Sequence, residues 1–211
     1  MKYYNHLKTH FSNKSFLRSI FVALVLFSLA LMINYYAGTY ATHEESSSVT
    51  DIILSNTRPH DVDGLFIYGS YSLVILIAFL VFRRLNTLPF VVETIALFTV
   101  IRSVFITLTH IAPFPTGISI NSSLLSKVSF GGDLFFSGHT GLPFLLALIF
   151  WKVPHLRYLF LFFSFFLATV VLLGHLHYSI DVLSAFFISY GIFHIALRLF
   201  KKDYRLFCEG L

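Results

Sequence analysis

The chain has 211 residues, of which 56% are hydrophobic and 12% charged, with a formal net charge of +5. That composition excludes an ordinary soluble domain, because several apolar runs reach or approach bilayer length. The positive balance does not point to nucleic acid, since the basic residues stand at the ends of apolar runs rather than in one patch. A single membrane domain covering 1–211 is expected, and the lone cysteine, Cys208, rules out an internal disulfide. Cys208 falls in the polar tail, as a free thiol or a palmitoylation site.

In chain order, residues 1–16 are a basic, polar lead, and 16–36 form the first span. Its apolar stretch is too long for a typical signal peptide and lacks a good cleavage site, so an uncleaved anchor is expected. Residues 37–63 are polar and acidic and read as a solvated loop. Spans two and three follow at 64–82 and 88–110, the third carrying Glu93 and Arg102. Glu93 lies near one end, where interfacial hydration accounts for it. Residues 111–137 form a connector rich in Pro, Gly, Ser and Asn. Span four, 138–151, is short unless residues 134–136 extend it. Spans five and six are expected at 158–174 and 178–200, with a basic tail over 201–211. The fold expected is therefore all-α, a polytopic bundle of six transmembrane helices.

Orientation follows from Lys and Arg. Six spans put twelve of the fifteen basic residues on one side, leaving Arg58 and Lys127 in the opposite loops and Arg102 within a span. Both termini, 1–16 and 201–211, are then expected in the cytoplasm.

Polar chemistry gathers at the other face. Ser137-Gly138-His139-Thr140 opens span four, and His177-Tyr178-Ser179-Ile180-Asp181 opens span six. Four residues apart on a helix, His177 and Asp181 share one face. A carboxylate there can hold one imidazole nitrogen and leave the other as a nucleophile or base. Charged groups in a membrane are costly and mark function. Two histidines and an aspartate, with no cysteine nearby, suit proton and phosphoryl transfer better than a metal site. No metal and no cofactor is expected. His177 is read as the nucleophile, Asp181 as its orienting partner, and His139 as the acid and base for the leaving and incoming oxygens.

Ser137 and Gly138 are expected to offer donors to phosphate oxygens at a helix start. Asp133 either orients His139, binds an amine-bearing headgroup, or is a solvated loop carboxylate. Arg102 either reaches the phosphate site or pairs with a carboxylate such as Asp133. His175 needs no role beyond its turn, His110 is left open, and His194 reads as a helix-packing residue.

Gly132-Asp133-x3-Ser137-Gly138-His139-Thr140, followed by His177-Tyr178-Ser179-x-Asp181-Val182, resembles the sphingomyelin synthase branch of the type 2 phosphatidic acid phosphatase (lipid phosphatase/phosphotransferase) superfamily. The stretch 102–115 is similar to that branch more loosely, and the resemblance covers roughly residues 88–190. It implies that superfamily's helical bundle, a His/His/Asp site with the roles given above, and a phospholipid donor with a lipid acceptor as partners. Two departures matter. Gly131 stands where the branch commonly has Cys, and Val171 stands where lipid phosphatases of the wider superfamily place an arginine. A phosphodiester carries less charge than a phosphomonoester and needs fewer fixed cations, so the sequence leans toward an intact phospholipid headgroup. Hydrolysis on the same fold, and a non-catalytic scaffold or transporter, are the alternatives.

Overall fold

The computed structural model describes residues 14–118 and 134–209. Among the described residues the regular structure is entirely helical: α1 (Lys14–His43), α2 (Asp63–Arg83), α3 (Leu88–Thr109), α4 (Gly138–Ile149), α5 (Pro154–Leu173), α6 (Ser179–Leu199) and α7 (Lys201–Glu209), with single 3-10 turns at Leu54–Asn56 and Leu85–Thr87. Helices α1, α2, α3, α5 and α6 are each long and apolar enough to cross a membrane. Their outward side chains fit that medium: Phe21, Leu108 and Phe187 are each about 70% exposed. Lipid is the solvent that makes such a surface stable, and the chain is an integral membrane protein.

In that solvent every backbone and hydroxyl group has to find a partner inside the protein. The hydroxyls along α3 do so within their own helix. Thr94, Thr99, Ser103, Thr107 and Thr109 each donate to the carbonyl four residues back, at 2.7 to 2.9 Å. The spaced threonines of this stretch are thereby accommodated in a span. On α1 the inward face carries small residues, Ser19, Ala23, Ala30, Ala37 and Ala41, so its backbone lies close along α3.

Helix α4 occupies the centre. It has 12 residues, which at 1.5 Å per residue make about 18 Å, short of a hydrocarbon core of about 30 Å. Residues 134–136 do not lengthen it as the sequence suggested. They approach as non-helical chain, Phe136 entering the core beneath Phe98 and Phe105, and the helix starts at Gly138. Helix α4 can be short because protein surrounds it: Leu145, Leu146 and Ala147 are fully buried. Two serines bind it sideways, Ser164 of α5 to the Thr140 carbonyl (2.9 Å) and Ser189 of α6 to the Gly141 carbonyl (3.1 Å).

This close packing depends on Gly141. A Cβ there would lie 2.8 Å from Ser189 Oγ and 3.0 Å from the Phe98 ring. Overpacking of this kind typically costs 1–3 kcal/mol. Gly141→Val should therefore lower the thermal stability of the purified protein in detergent and displace α4 with its histidine. Wild-type melting and activity in Gly141→Val would show that the contact yields freely.

Other expectations need correcting. The first helix runs Lys14–His43, beyond the expected 16–36. The loop at 37–63 is not simply solvated: Asp51, Leu54 and Val62 are buried, and the loop folds back over one end of the bundle. Ser46 N–H donates to the His110 carbonyl and His60 N–H to the Leu173 carbonyl, tying the loop to the ends of α3 and α5. Glu93 is not hydrated but 2% exposed, placed beside Asp203 and Lys202 by the return of α7. The tail is likewise not free. Residues Lys201–Glu209 form α7, which buries Phe207 against Phe90 and Phe150. His194 faces outward on α6, with its ring 4.5 Å from that of Tyr190, instead of packing between helices.

Candidate active site

The C-terminal ends of α1, α3 and α5 and the N-terminal ends of α2, α4 and α6 meet at one end of the bundle, joined by the loop bonds above and by Ile118 N–H to the Gly174 carbonyl. The two sequence motifs are brought together there. His177 and Asp181 are 7% and 0% exposed, with Nδ1 and Oδ2 3.5 Å apart. This is a long contact rather than a closed hydrogen bond, as is common before substrate binds. Asp181 Oδ2 also accepts the Tyr178 backbone N–H at 3.0 Å. The carboxylate at the third helical position thus reaches back to the residue before the helix, which fixes it against His177. Because Nδ1 faces the carboxylate, Nε2 is the ring nitrogen that Asp181 does not engage.

His139 stands across from His177, with ring centroids 6.4 Å apart. Phe66 of α2 backs it at 4.5 Å. The motifs are also joined through backbone: Ser137 N–H donates to the Asp181 carbonyl at 3.1 Å. Ser137 is fully buried, and its hydroxyl accepts from Thr140 N–H as the N-cap of α4. Ser137 N–H is committed to Asp181 and its oxygen caps the helix, so of the donors expected from Ser137 the hydroxyl proton is the one left. The N–H groups of Gly138 and His139 open the helix.

Arg102 belongs to this site. Its Nε donates to the Phe136 carbonyl at 3.0 Å, and its guanidinium covers Gly138, where an added Cβ would lie 3.3 Å from Nε. Arg102 and His177 are the titratable neighbours nearest in effect to His139. Asp133 lies outside the described residues, as do Lys127 and Gly131. Val171 is fully buried in an apolar cluster with Val62, Phe66 and Val182.

His175 is structural, as its place in a turn suggested. Both ring nitrogens are engaged, Nδ1 with Thr116 Oγ1 at 2.6 Å and Nε2 with Thr57 Oγ1 at 3.2 Å. Burial pushes its imidazole below the ordinary histidine range, helped by His60 and opposed by Asp51. Its side chain pins two loops to the start of the second motif, while its backbone holds a left-handed φ of 52°. His110 ends α3 with its Nδ1 3.3 Å from the Thr107 carbonyl and its ring 6.1 Å from Tyr40.

Two supporting residues were given no role by the sequence, Tyr178 within the second motif and Asp51 outside both. Tyr178 is 1% exposed, donates to the Ala112 carbonyl (2.8 Å) and accepts from Val49 N–H (3.2 Å). Asp51 accepts from Ile53 N–H and Leu54 N–H through Oδ1, and from Ser179 N–H at 2.7 Å through Oδ2. Burial raises the Asp51 carboxyl, but these donors outweigh it and hold it below the usual range. Its stabilisation is thus fully present above about pH 4, the ordinary aspartate value, and is lost as pH falls through its own lower value. Asp51→Asn should melt at a lower temperature than wild type at pH 7, the gap narrowing below pH 4. A gap independent of pH would mean that the charge is not what matters.

A buried histidine–carboxylate pair thus faces a second histidine and an arginine inside a bundle of membrane helices. Residues 131–197 match the family described as PAP2 superfamily C-terminal. The match supports the type 2 phosphatidic acid phosphatase superfamily, whose members are in general lipid phosphatases and phosphotransferases. No curated protein and no solved structure matches the chain.

Proposed function

We propose that the protein is a membrane phosphotransferase of the sphingomyelin synthase type, moving a phospholipid headgroup to a lipid hydroxyl such as that of ceramide or diacylglycerol. The observation that carries this reading is the convergence of His177, Asp181 and His139 at one end of the bundle, the rings close enough to contact one phosphoryl group. In the first half-reaction His177 Nε2 attacks phosphorus, and the bond from phosphorus to the diacylglycerol oxygen breaks. His139 protonates that oxygen, and the headgroup phosphate remains on His177. In the second, His139 removes the proton of the acceptor hydroxyl, whose oxygen displaces His177 from phosphorus. Asp181 stabilises the cationic imidazole in both. Arg102, with the N–H groups opening α4, neutralises the phosphoryl oxygens.

The apolar surroundings of Val171 favour a diester, which brings a single negative charge, over a monoester that needs more cations. The direct test is purified protein in defined liposomes with labelled phospholipid and candidate acceptors. Label recovered on the acceptor lipid supports transfer; label released only as water-soluble headgroup phosphate assigns hydrolysis instead.

The reading includes six crossings, α4 being the short one, with both termini in the cytoplasm and the histidines on the opposite face. The basic residues Lys14, Arg18, Arg83, Arg84, Lys152, Arg157, Arg198 and Lys201 belong to the helix ends away from the histidines, which supports that orientation. Cys208 is half-buried on α7, so its own labelling would be a poor probe. In a Cys208→Ser background, a cysteine at the exposed position 47 should react with an impermeant thiol reagent on intact cells, and one at 209 should not. The reverse pattern would place the site inside.

A further inference from the structure

The end of the bundle away from the histidines holds a polar concavity. A pocket of about 220 Å³ lies between the last turns of α2, the turn before α3, and the junction of α4 with α5. Arg83 and Arg84 line it from α2 and His155 from α5, over an apolar floor that includes Leu80, Phe150 and Leu156. No carboxylate lines it among the described residues.

The rim is built rather than incidental. Thr87, 1% exposed, donates to the Arg84 carbonyl through both its backbone N–H (2.9 Å) and its Oγ1 (2.7 Å), which fixes the reversal where the two arginines end α2. Arg83 lies 5.9 Å from the ring of Phe79 on its own helix. Basic residues at a span end also serve orientation, but that role asks only for charge at that end. Lys152 and Arg157 meet it without lining this pocket, Arg157 resting on the rings of Trp151 and Tyr158 at 4.9 and 4.6 Å. In the pocket, the two arginines at the end of α2 meet the His155 ring of α5 over an apolar surface. Backbone dipoles give no net attraction, because α2 and α4 end there with their carbonyls while α3 and α5 begin there. The side chains must supply it.

We propose that this pocket binds the phosphate of an anionic membrane phospholipid. Arg83 and Arg84 take the phosphate oxygens, His155 closes the rim, and the acyl chain runs out over Phe79 and Phe82, which are 56% and 69% exposed on α2. A lipid fits better than a soluble phosphate because the cations stand where a membrane-long helix ends and apolar surface continues from them. The site is separate from the histidines and does not depend on the reaction proposed for them.

The test is native mass spectrometry of the full chain in neutral detergent, titrated with phosphatidylglycerol or with phosphatidylcholine. Wild type should retain phosphatidylglycerol preferentially. Arg83→Gln with Arg84→Gln should weaken that retention roughly thirtyfold, the effect of two surface-level cations, whereas Lys152→Gln with Arg157→Gln should leave it nearly unchanged. Lipid held at the histidine end is common to both variants and cancels. Equal retention of the two lipids, or equal loss in both variants, would overturn the proposal. So would displacement by inorganic phosphate, which would assign a soluble anion. Should the arginine variant fail to fold, photo-crosslinking of wild type with a photoreactive phosphatidylglycerol decides: label within 79–87 and 150–156 supports the site, and label elsewhere contradicts it.

Discussion

His177→Ala should abolish both headgroup transfer and any hydrolysis, while the protein still inserts and migrates as wild type. His177 is the imidazole with the Asp181 carboxylate behind it, at 3.5 Å. His139→Ala should be comparably severe in turnover but leave a slow first half-reaction on a substrate whose leaving group needs no proton. Asp181→Asn keeps an oxygen that can accept the Tyr178 N–H, so the fold should survive. Losing the charge should nevertheless cost about 10²–10⁴ in rate, by analogy with other histidine–carboxylate pairs. Residues acting as one unit are not additive. The double variant at His177 and Asp181 should therefore be no slower than His177→Ala alone, and a further drop would mean that Asp181 has a separate role.

Arg102→Ala should lower kcat/KM by about 10²–10³, the range for removing one preorganised group that stabilises developing charge. The guanidinium covers Gly138 at the start of α4, beside His139. It also donates to the Phe136 carbonyl, so part of the effect will be structural. Arg102→Lys separates the two. Lysine keeps the charge without the planar fork, so activity should recover in part while the Phe136 contact stays broken. If both variants melt early but turn over normally per folded molecule, Arg102 is a packing residue and the charge on phosphorus is met elsewhere.

The spans were legible because lipid imposes a strong rule: long apolar runs bounded by arginine and lysine. The expected 64–82 is α2 at Asp63–Arg83, and 88–110 is α3 at Leu88–Thr109. The same rule misreads α4, whose apolar residues face protein instead of lipid, so its length obeys packing against Ser164 and Ser189. His177 and Asp181 could be paired from their spacing, since four residues on a helix fix the geometry. That His139 meets them could only be inferred from both motifs opening helices at one face. Asp51 could not be found this way. It is one of several acids in a polar loop, and only the fold shows that Ser179 N–H points at it. Glu93 and Asp203 are more than a hundred residues apart, and α7 had no apolar run to announce it, so the burial of Glu93 was out of reach of local pattern.

Rapid acid-free quenching of the protein in liposomes with phospholipid labelled in its headgroup tests the central claim most directly. Peptide mass spectrometry then asks where the label sits. The expected result is a headgroup phosphate on the peptide containing His177, bound through nitrogen and so labile to acid, more abundant when acceptor lipid is withheld and absent from His177→Ala. Label on another residue, or transfer at the wild-type rate in His177→Ala, would contradict the mechanism.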